Sequence, residues 1–456
     1  MTTTMTADEI RSIEERFPQV FKRPFQKRFG PLLLLGGTFF YLLYALWFFN
    51  LPQVMRESHW ERLPLFLTQW ISYDVQPIFR LDEPQITAKY PRFSVLGPNP
   101  SPDWVKANPD GSVTILIDGT AKSVTFNKTQ ATIIANDETV AVGLSTGRPL
   151  ISGPVPGWIT AHEDEVVADM GFAGEVRVAA DRVRIRKRFL GWANFVFDTR
   201  SPFFGKSAGE VASMIVSGPE LKPGTSNLAL AGDNIWNNAQ WQHGDVWTKL
   251  LQTIVMAFLG TLLGGIVAFP LAFFAARNIT PSRLVNQVLK RFFDFMRSID
   301  MLIWALFFTR AFGPGPLAGS AAVFFTEIGT LGKTYSEALE NIDDKPREGV
   351  VSTGANGLLV QRYGVLPEVV PVFISQTLYQ WESNTRGATI IGAVGAGGIG
   401  LKLWEAMRTN SNWANVFYMV LLILLVVFIF DNISNFLRRR LSQTIHDYNR
   451  IQAEQG

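Results

Sequence analysis

The stretch GAVGAGGIG, Gly392 to Gly400, packs five glycines into nine residues. Within it, Gly395, Gly397 and Gly400 stand at the G-x-G-x-x-G spacing that lets backbone amides approach dinucleotide phosphates. That chemistry needs a strand before the glycines, a helix after them and an acid about 20 residues on. Here the apolar run Val369 to Ile391 precedes them, and no acid stands at the required distance before the next apolar run. A nucleotide site is therefore rejected. Gly392, Gly395, Gly397, Gly398 and Gly400 are read instead as an outer loop that turns the chain sharply at a membrane boundary, or lets helices approach closely. A second nucleotide-like string, GTLGKT at Gly329 to Thr334, fails as a phosphate loop because Glu327 stands where its first glycine is required.

Ionisable residues inside apolar runs are the other candidates for chemistry. Glu382 and Arg386 are four apart and share a helix face. Lining a route for an anion is one reading. A self-neutralising pair is favoured, because one carboxylate per guanidinium makes a poor anion site. Arg297 and Asp300, three apart, pose the same choice, with snorkelling to the membrane edge as a further alternative. The histidines His59, His162, His243 and His446 are scattered without ligand spacing, so no metal site is expected. Zero cysteines exclude disulfides, Cys-ligated zinc and thiol nucleophiles. A net charge of +3 gives no reason to expect nucleic acid.

These residues must be positioned by membrane helices. Pro31 to Asn50 carries no charge over twenty residues, and Leu250 to Ala276 none over 27. About 20 apolar residues cross a bilayer core of about 30 Å. Further spans are expected at Phe292 to Phe312, Leu317 to Thr334, Val369 to Ile391 and Trp413 to Phe436, making six. Lys22, Arg23, Lys27 and Arg28 precede the first span, and Arg277, Arg283, Lys290 and Arg291 follow the second. Lys345, Arg347 and Arg362 follow the fourth, and Arg438 to Arg440 the sixth. Basic residues collect on cytoplasmic flanks, so both termini are expected inside, and residues 51–248 outside. Gly260 and Gly264 form a small-residue face in span two, suited to tight helix contact, and Pro270 follows as a candidate bend.

Residues 51–248 are not linker-like. SVTILIDGTAKSVTFNKTQATIIA and EVRVAADRVRIRKRF alternate apolar and polar residues as half-buried strands do, with turns at PDG and IDGT. A β-rich domain is expected over about 81–215. HWERLPLFLTQWISYDV before it reads as an amphipathic surface segment, and KPGTSNLALAGDNIWNNAQWQ after it as a loop with interfacial tryptophans.

Between spans four and five, within the loop 335–368, runs REGVVSTGANGLLVQRYGVLPEVVP. Glu348, Gly349, Val350, Gly354, Gly364, Leu366 and Pro367 fall at the spacing E-x-x-x3-G-x9-x-x-L-P. This resembles the EAA loop of ABC importer permeases, with Gly349 and Val350 in place of alanines and Gly364 in place of isoleucine. GTLGKTYSEALENIDDKPREGVVSTGA, RYGVLPEVVPVFISQTLYQWE and RGATIIGAVGAGGIG together are similar to permease subunits of phosphonate ABC importers. The similarity covers roughly Trp247 to Leu441.

The resemblance implies an all-α polytopic membrane protein of the type I importer permease fold, with the β-rich extracytoplasmic domain inserted between spans one and two. Residues 1–30 and 442–456 would be cytoplasmic, and 249–441 the transport domain. It implies a bacterial inner-membrane subunit, paired with a second permease copy, that forms a pathway for a phosphonate or related phosphorus oxyanion. Phosphite, phosphate and methionine are alternative cargoes, and a membrane-anchored extracytoplasmic enzyme or sensor is the alternative from another class. Two cytoplasmic ATPase subunits would dock on Glu348, Gly349, Gly354, Leu366 and Pro367, and an extracytoplasmic binding protein would deliver the cargo. ATP and magnesium would be held by the ATPase partner, with no cofactor on this chain and no catalytic residue.

Overall fold

The computed structural model describes residues 25–58, 60, 62–91, 94–97, 100–144, 147–409 and 413–455. Lys22, Arg23 and His59 lie outside them. The chain divides into two units, residues 1–66 and 67–456. In the first, helix α1 (Phe25–Phe48) contains the apolar segment Gly30–Phe48 and exposes a near-continuous apolar surface, with Leu34, Phe40 and Trp47 all largely uncovered. Apolar surface of this extent is stable in hydrocarbon and costly in water. The short α2 (Leu51–Glu57) follows; α3 (Arg62–Gln69) straddles the boundary between the units.

Among the described residues, the second unit opens with thirteen strands between Ser72 and Leu190. Six of them, β4 (Val105–Ala107), β5 (Val113–Asp118), β6 (Lys122–Phe126), β7 (Gln130–Ala135), β8 (Glu138–Gly143) and β9 (Leu150–Ser152), form an antiparallel meander in chain order. The other sheet runs β10 (Ile159–Ala161), β11 (Glu165–Asp169), β12 (Gly174–Ala179), β13 (Arg182–Leu190), β2 (Ile78–Arg80), β3 (Ala88–Lys89). Strand β1 (Ser72–Val75) pairs with the far end of β13. Alternation decides the packing. Val113, Ile115 and Ile117 of β5 point inward with Val176 and Val178 of β12, and Phe79 meets Phe126 edge-on at 5.1 Å. The sheets thus begin and end earlier than 81–215. Ser72 to Val75 is a strand rather than the end of a surface helix, because β13 is long enough to pair beyond β2.

Entry and exit of the sheets are adjacent. Gly191 N donates to Ile71 O at 2.7 Å, and Trp192 Nε1 to Trp70 O at 3.1 Å. Two helices follow, α4 (Ala208–Val216) and α5 (Asn227–Trp236). The second lies where a loop was expected; Ser226 caps it by accepting from Ala229 N, and Leu230 and Ala231 bury against Phe203.

The remaining elements are helical. Helix α6 (His243–Ala275) runs 33 residues without a break at Pro270. Its partner α9 (Pro316–Glu340) approaches so closely that a Cβ on Gly264 would stand 2.7 Å from Glu327 Cβ, and one on Gly260 would overlap Val323. The small-residue face is therefore a packing face. The expected third span is two helices, α7 (Arg283–Ser298) and α8 (Met301–Phe312). Ile299 is extended and Asp300 caps α8, its Oδ1 accepting from Leu302 N at 2.8 Å, so the chain restarts there. Next come α10 (Asp344–Ser352), α11 (Gly357–Val360), α12 (Leu366–Ile391), α13 (Gly398–Thr409) and α14 (Trp413–Gln455). Among the described residues four helical segments are long and apolar enough to cross a membrane: Gly30–Phe48, His243–Ala275, Gly357–Ala396 and Trp413–Arg440. The expected third and fourth spans, at α7–α8 and α9, are helical but fall short of that measure.

Candidate functional site

The loop bearing Glu348 and Gly354 is built from two short helices and a turn. Asp343 caps α10 by accepting from Lys345 N at 3.2 Å. Gly354 ends it with φ +77°, a conformation that costs a side-chain-bearing residue strain, and Asn356 caps α11. A π turn, Gln361–Val365, leads into α12, whose first turn contains Pro367, where a missing amide costs nothing. Gly364 is buried beneath α10: a Cβ there would meet Arg347 Cα at 3.1 Å. A glycine at that position therefore lets α10 lie against the turn.

Glu348 and Gly349 face solvent, and around them Val351, Leu358, Leu359 and Tyr363 are exposed, Leu358 at 83%. On the other side, Val365 and Val369 are fully buried with Leu339, Tyr335 and Ala272 of α9 and α6. Leu366 is half-buried and Pro367 exposed. One face is thus exposed and largely apolar, and the opposite face is buried against two long helices.

Glu382 and Arg386 are joined by two residues of α14: Asp431, not singled out in the sequence, and Arg438, read there only as a basic flank. Glu382 Oε1 lies 3.3 Å from Arg386 and Oε2 lies 3.1 Å from Arg438, while Arg386 reaches Asp431 at 3.7 Å. Two acids balance two guanidiniums. This is the self-neutralised arrangement, and it clamps α12 to α14. Arg297 and Asp300 do not pair. Arg297 turns to Asp294 at 3.9 Å, and Asp294 also takes Lys333 at 3.3 Å, while Asp300 is occupied as a cap.

The glycine-rich stretch is a kink between two helical segments rather than an open loop. A π turn, Gly392–Ala396, ends at a kink where Gly395, Gly397 and Gly398 have φ of 97°, 85° and 70°, and α13 begins. Gly392, Gly398 and Gly400 are buried. A Cβ on Gly392 would meet Gly397 O at 2.6 Å, one on Gly400 would overlap Thr389 O, and Gly315 N donates to Gly395 O at 3.0 Å. Both readings are realised: Gly395, Gly397 and Gly398 turn the chain, and Gly392 and Gly400 allow close approach.

Between α6 and α12 lies a cavity of about 480 Å³, lined by Phe258, Thr261, Phe269, Tyr335, Thr377 and Trp381 among others. Its walls are mostly apolar. Its polar edge consists of Thr261, which accepts from Asn384 Nδ2 at 2.9 Å, and the hydrogen-bonded Tyr335 and Thr377 hydroxyls.

Residues 268–443 match the family model described as binding-protein-dependent transport system inner membrane component. The chain is 36% identical over 194 residues to a phosphite transport system permease protein of Stutzerimonas stutzeri, covering 42% of this chain and 70% of that one. It is 47% identical over 118 residues to a cryptic phosphonate transport system permease protein of Escherichia coli K12, covering 26% of this chain and 96% of the relative. A phosphate-import permease protein of Mycolicibacterium smegmatis is 42% identical over 158 residues, which is 35% of this chain and 30% of that one.

Proposed function

The chain belongs to the family of binding-protein-dependent transport system inner membrane components, and from that premise we propose that it is the membrane-spanning permease of an ATP-driven importer for a phosphorus oxyanion. The observation that carries the reading is the loop over residues 344–368, with its exposed apolar face on one side and its buried anchor in α6 and α9 on the other. A cytoplasmic ATPase docks on Glu348, Gly349, Val351, Leu358 and Tyr363. Closure of an ATPase pair on ATP and magnesium moves Val365 and Val369, and with them the helices, so that access alternates between the two membrane sides. The chain itself holds no nucleotide. Two copies pair, both termini are cytoplasmic, and the sheets over residues 72–190 face outward toward the binding protein. The relatives' names include phosphite, phosphate and phosphonate, which supports one chemical class of cargo without choosing within it.

The test is ATP hydrolysis by the permease reconstituted in lipid with its ATPase and binding protein, screened against phosphonates, phosphite, phosphate and methionine. Stimulation by a phosphorus oxyanion is expected, and a response to methionine alone would overturn the cargo class. Gly354→Pro and Glu348→Arg are expected to lower ATPase capture or uncouple hydrolysis from uptake. Capture and uptake unaltered in both variants would remove the loop from its assigned role.

A further inference from the structure

One buried acid has no place in the reading so far. Glu327, on α9, is 2% exposed, and its Oε2 is enclosed without a hydrogen-bond partner. A buried polar atom without a partner calls for an explanation, and an acid among membrane-spanning helices is by default a functional residue. Its surroundings narrow the explanation. From α6 it is faced by Gly264, and Thr261 is close by. From α12 it is faced by Asn384, which lies alongside the carboxyl and also donates to Thr261. None of these titrates. On its own helix, Tyr335 stands two turns away with its hydroxyl bonded to Thr377, and Lys333 is engaged by Asp294 and Glu337. On α7, Arg297 also turns to Asp294. On α12 and α14, Glu382, Arg386, Asp431 and Arg438 pair with one another. Among the described residues, no cation pairs with Glu327.

A metal ion does not fit either. Among the described residues no group of three or more His, Cys, Asp or Glu side chains gathers where it could hold an ion. The smallest species that can satisfy an enclosed carboxyl is a proton. Thr261 links the site to the cavity, since it accepts from Asn384 Nδ2 and lies in the wall of the 480 Å³ cavity.

We propose that Glu327 is a proton-binding site of the membrane domain, holding one proton while α6, α9 and α12 are packed and exchanging it with water in the cavity when they part. The step is balanced: the Oε2–H bond breaks, the electron pair stays on the carboxylate, the proton passes to water, and repacking reverses the transfer. The site rests on the geometry alone, whereas its exchange during transport rests on the permease reading.

The experiment is infrared difference spectroscopy of the full chain in lipid over a pH series, in H₂O and D₂O, for wild type and Glu327→Gln. The expected result is a deuterium-sensitive carboxylic-acid carbonyl band that titrates in the wild type and is lost in E327Q. With ATPase present, the same band changes when the complex is trapped with nucleotide, and the pH profile of uptake loses a one-proton step in E327Q. An unchanged band in E327Q, or no titrating acid band in the wild type, overturns the site. A band that responds to sodium at fixed pH replaces the proton by a cation and also overturns it. If no ATPase is captured, the spectra of the chain alone still decide the site, so its failure and the failure of the importer reading are separable. Should E327Q not fold, the wild-type pH and D₂O series stands by itself.

Discussion

Two residues of the loop over 344–368 behave differently although both are glycine. Gly354 is needed for its dihedral, φ +77°, and a Cβ there would meet nothing within 4 Å. Gly364 is needed for its size. The position aligns with isoleucine in the resembling motif, and restoring it would force Arg347 Cα, 3.1 Å from the new Cβ, away from the turn. Gly364→Ile is expected to lower stability by about 1–3 kcal/mol through overpacking. It should also reduce ATPase capture, because α10 would no longer lie on the anchored turn. Melting in detergent and co-purification measure the two effects; an unshifted melt with full capture would show that α10 moves freely. In the segment after the sheets, Asp198 offers a pH test. Burial works against its ionisation, but the amides of Ala239 and Arg200 and the Arg200 guanidinium prevail and hold it below the usual carboxylate value. A group depressed in the folded state contributes stability that is complete above its unfolded value, about 3.9, and is lost as pH falls through the folded one. Asp198→Asn should therefore flatten the acid side of the stability curve. An unchanged acid limb would count against this assignment.

At the scale of elements, periodicity and capping were readable and long-range partners were not. The membrane helices and the alternating strands follow from local patterning. The break at Ile299–Asp300 was signalled by an Asp that could cap, but its apolar neighbours on both sides masked it. The helix Asn227–Trp236 was masked in the opposite way, by a Gly, Asn and Asp content that reads as loop, although Ser226 stands where a cap belongs. Glu382 and Arg386 could be paired from a spacing of four. Asp431 and Arg438 could not be added, because they lie about 50 residues along the chain and meet the pair only after α12 and α14 pack. The network predicts a specific pattern of coupling. Arg438→Ala strands Glu382 Oε2 in a side chain that is 10% exposed, while Arg438 itself is 28% exposed. The expected cost is about 2 kcal/mol, below the 3–5 of a fully buried broken pair. Glu382→Gln combined with Arg438→Gln should recover part of it. A denaturation double-mutant cycle with no coupling would mean that the two groups do not interact.

Within residues 67–456 a sheet module is joined to a helical transport unit through the segment 191–242. The loop–helix part was legible because its motif, its basic flanks and its apolar runs are all local signals. The module was legible as strands, but its boundaries were not, since β1 joins the sheet only through β13 and the segment 191–242 packs on the helices instead. Trp192, Phe195 and Trp241 cluster there with His243 and Tyr418, where His243 Nδ1 meets the Tyr418 hydroxyl at 2.9 Å and Nε2 meets Phe195 O at 2.7 Å. Aromatic rings held edge-to-face with satisfied polar ends make a rigid junction. Excising residues 81–215 would remove Trp192 and Phe195 and unseat α6. Excising 72–190 cuts where Ile71 O and Gly191 N already touch at 2.7 Å, so a short glycine bridge closes the gap with the junction intact. The second deletion is expected to leave the helical unit folded and able to capture its ATPase, and the first to lose both. If the outward sheets receive the binding protein, the 72–190 deletion should also lose most of the hydrolysis stimulated by cargo-loaded binding protein while keeping the basal rate. Stimulation equal to that of the full chain would relieve the module of that role, and a collapse of folding in both deletions would show that the sheets and the helices are one cooperative unit.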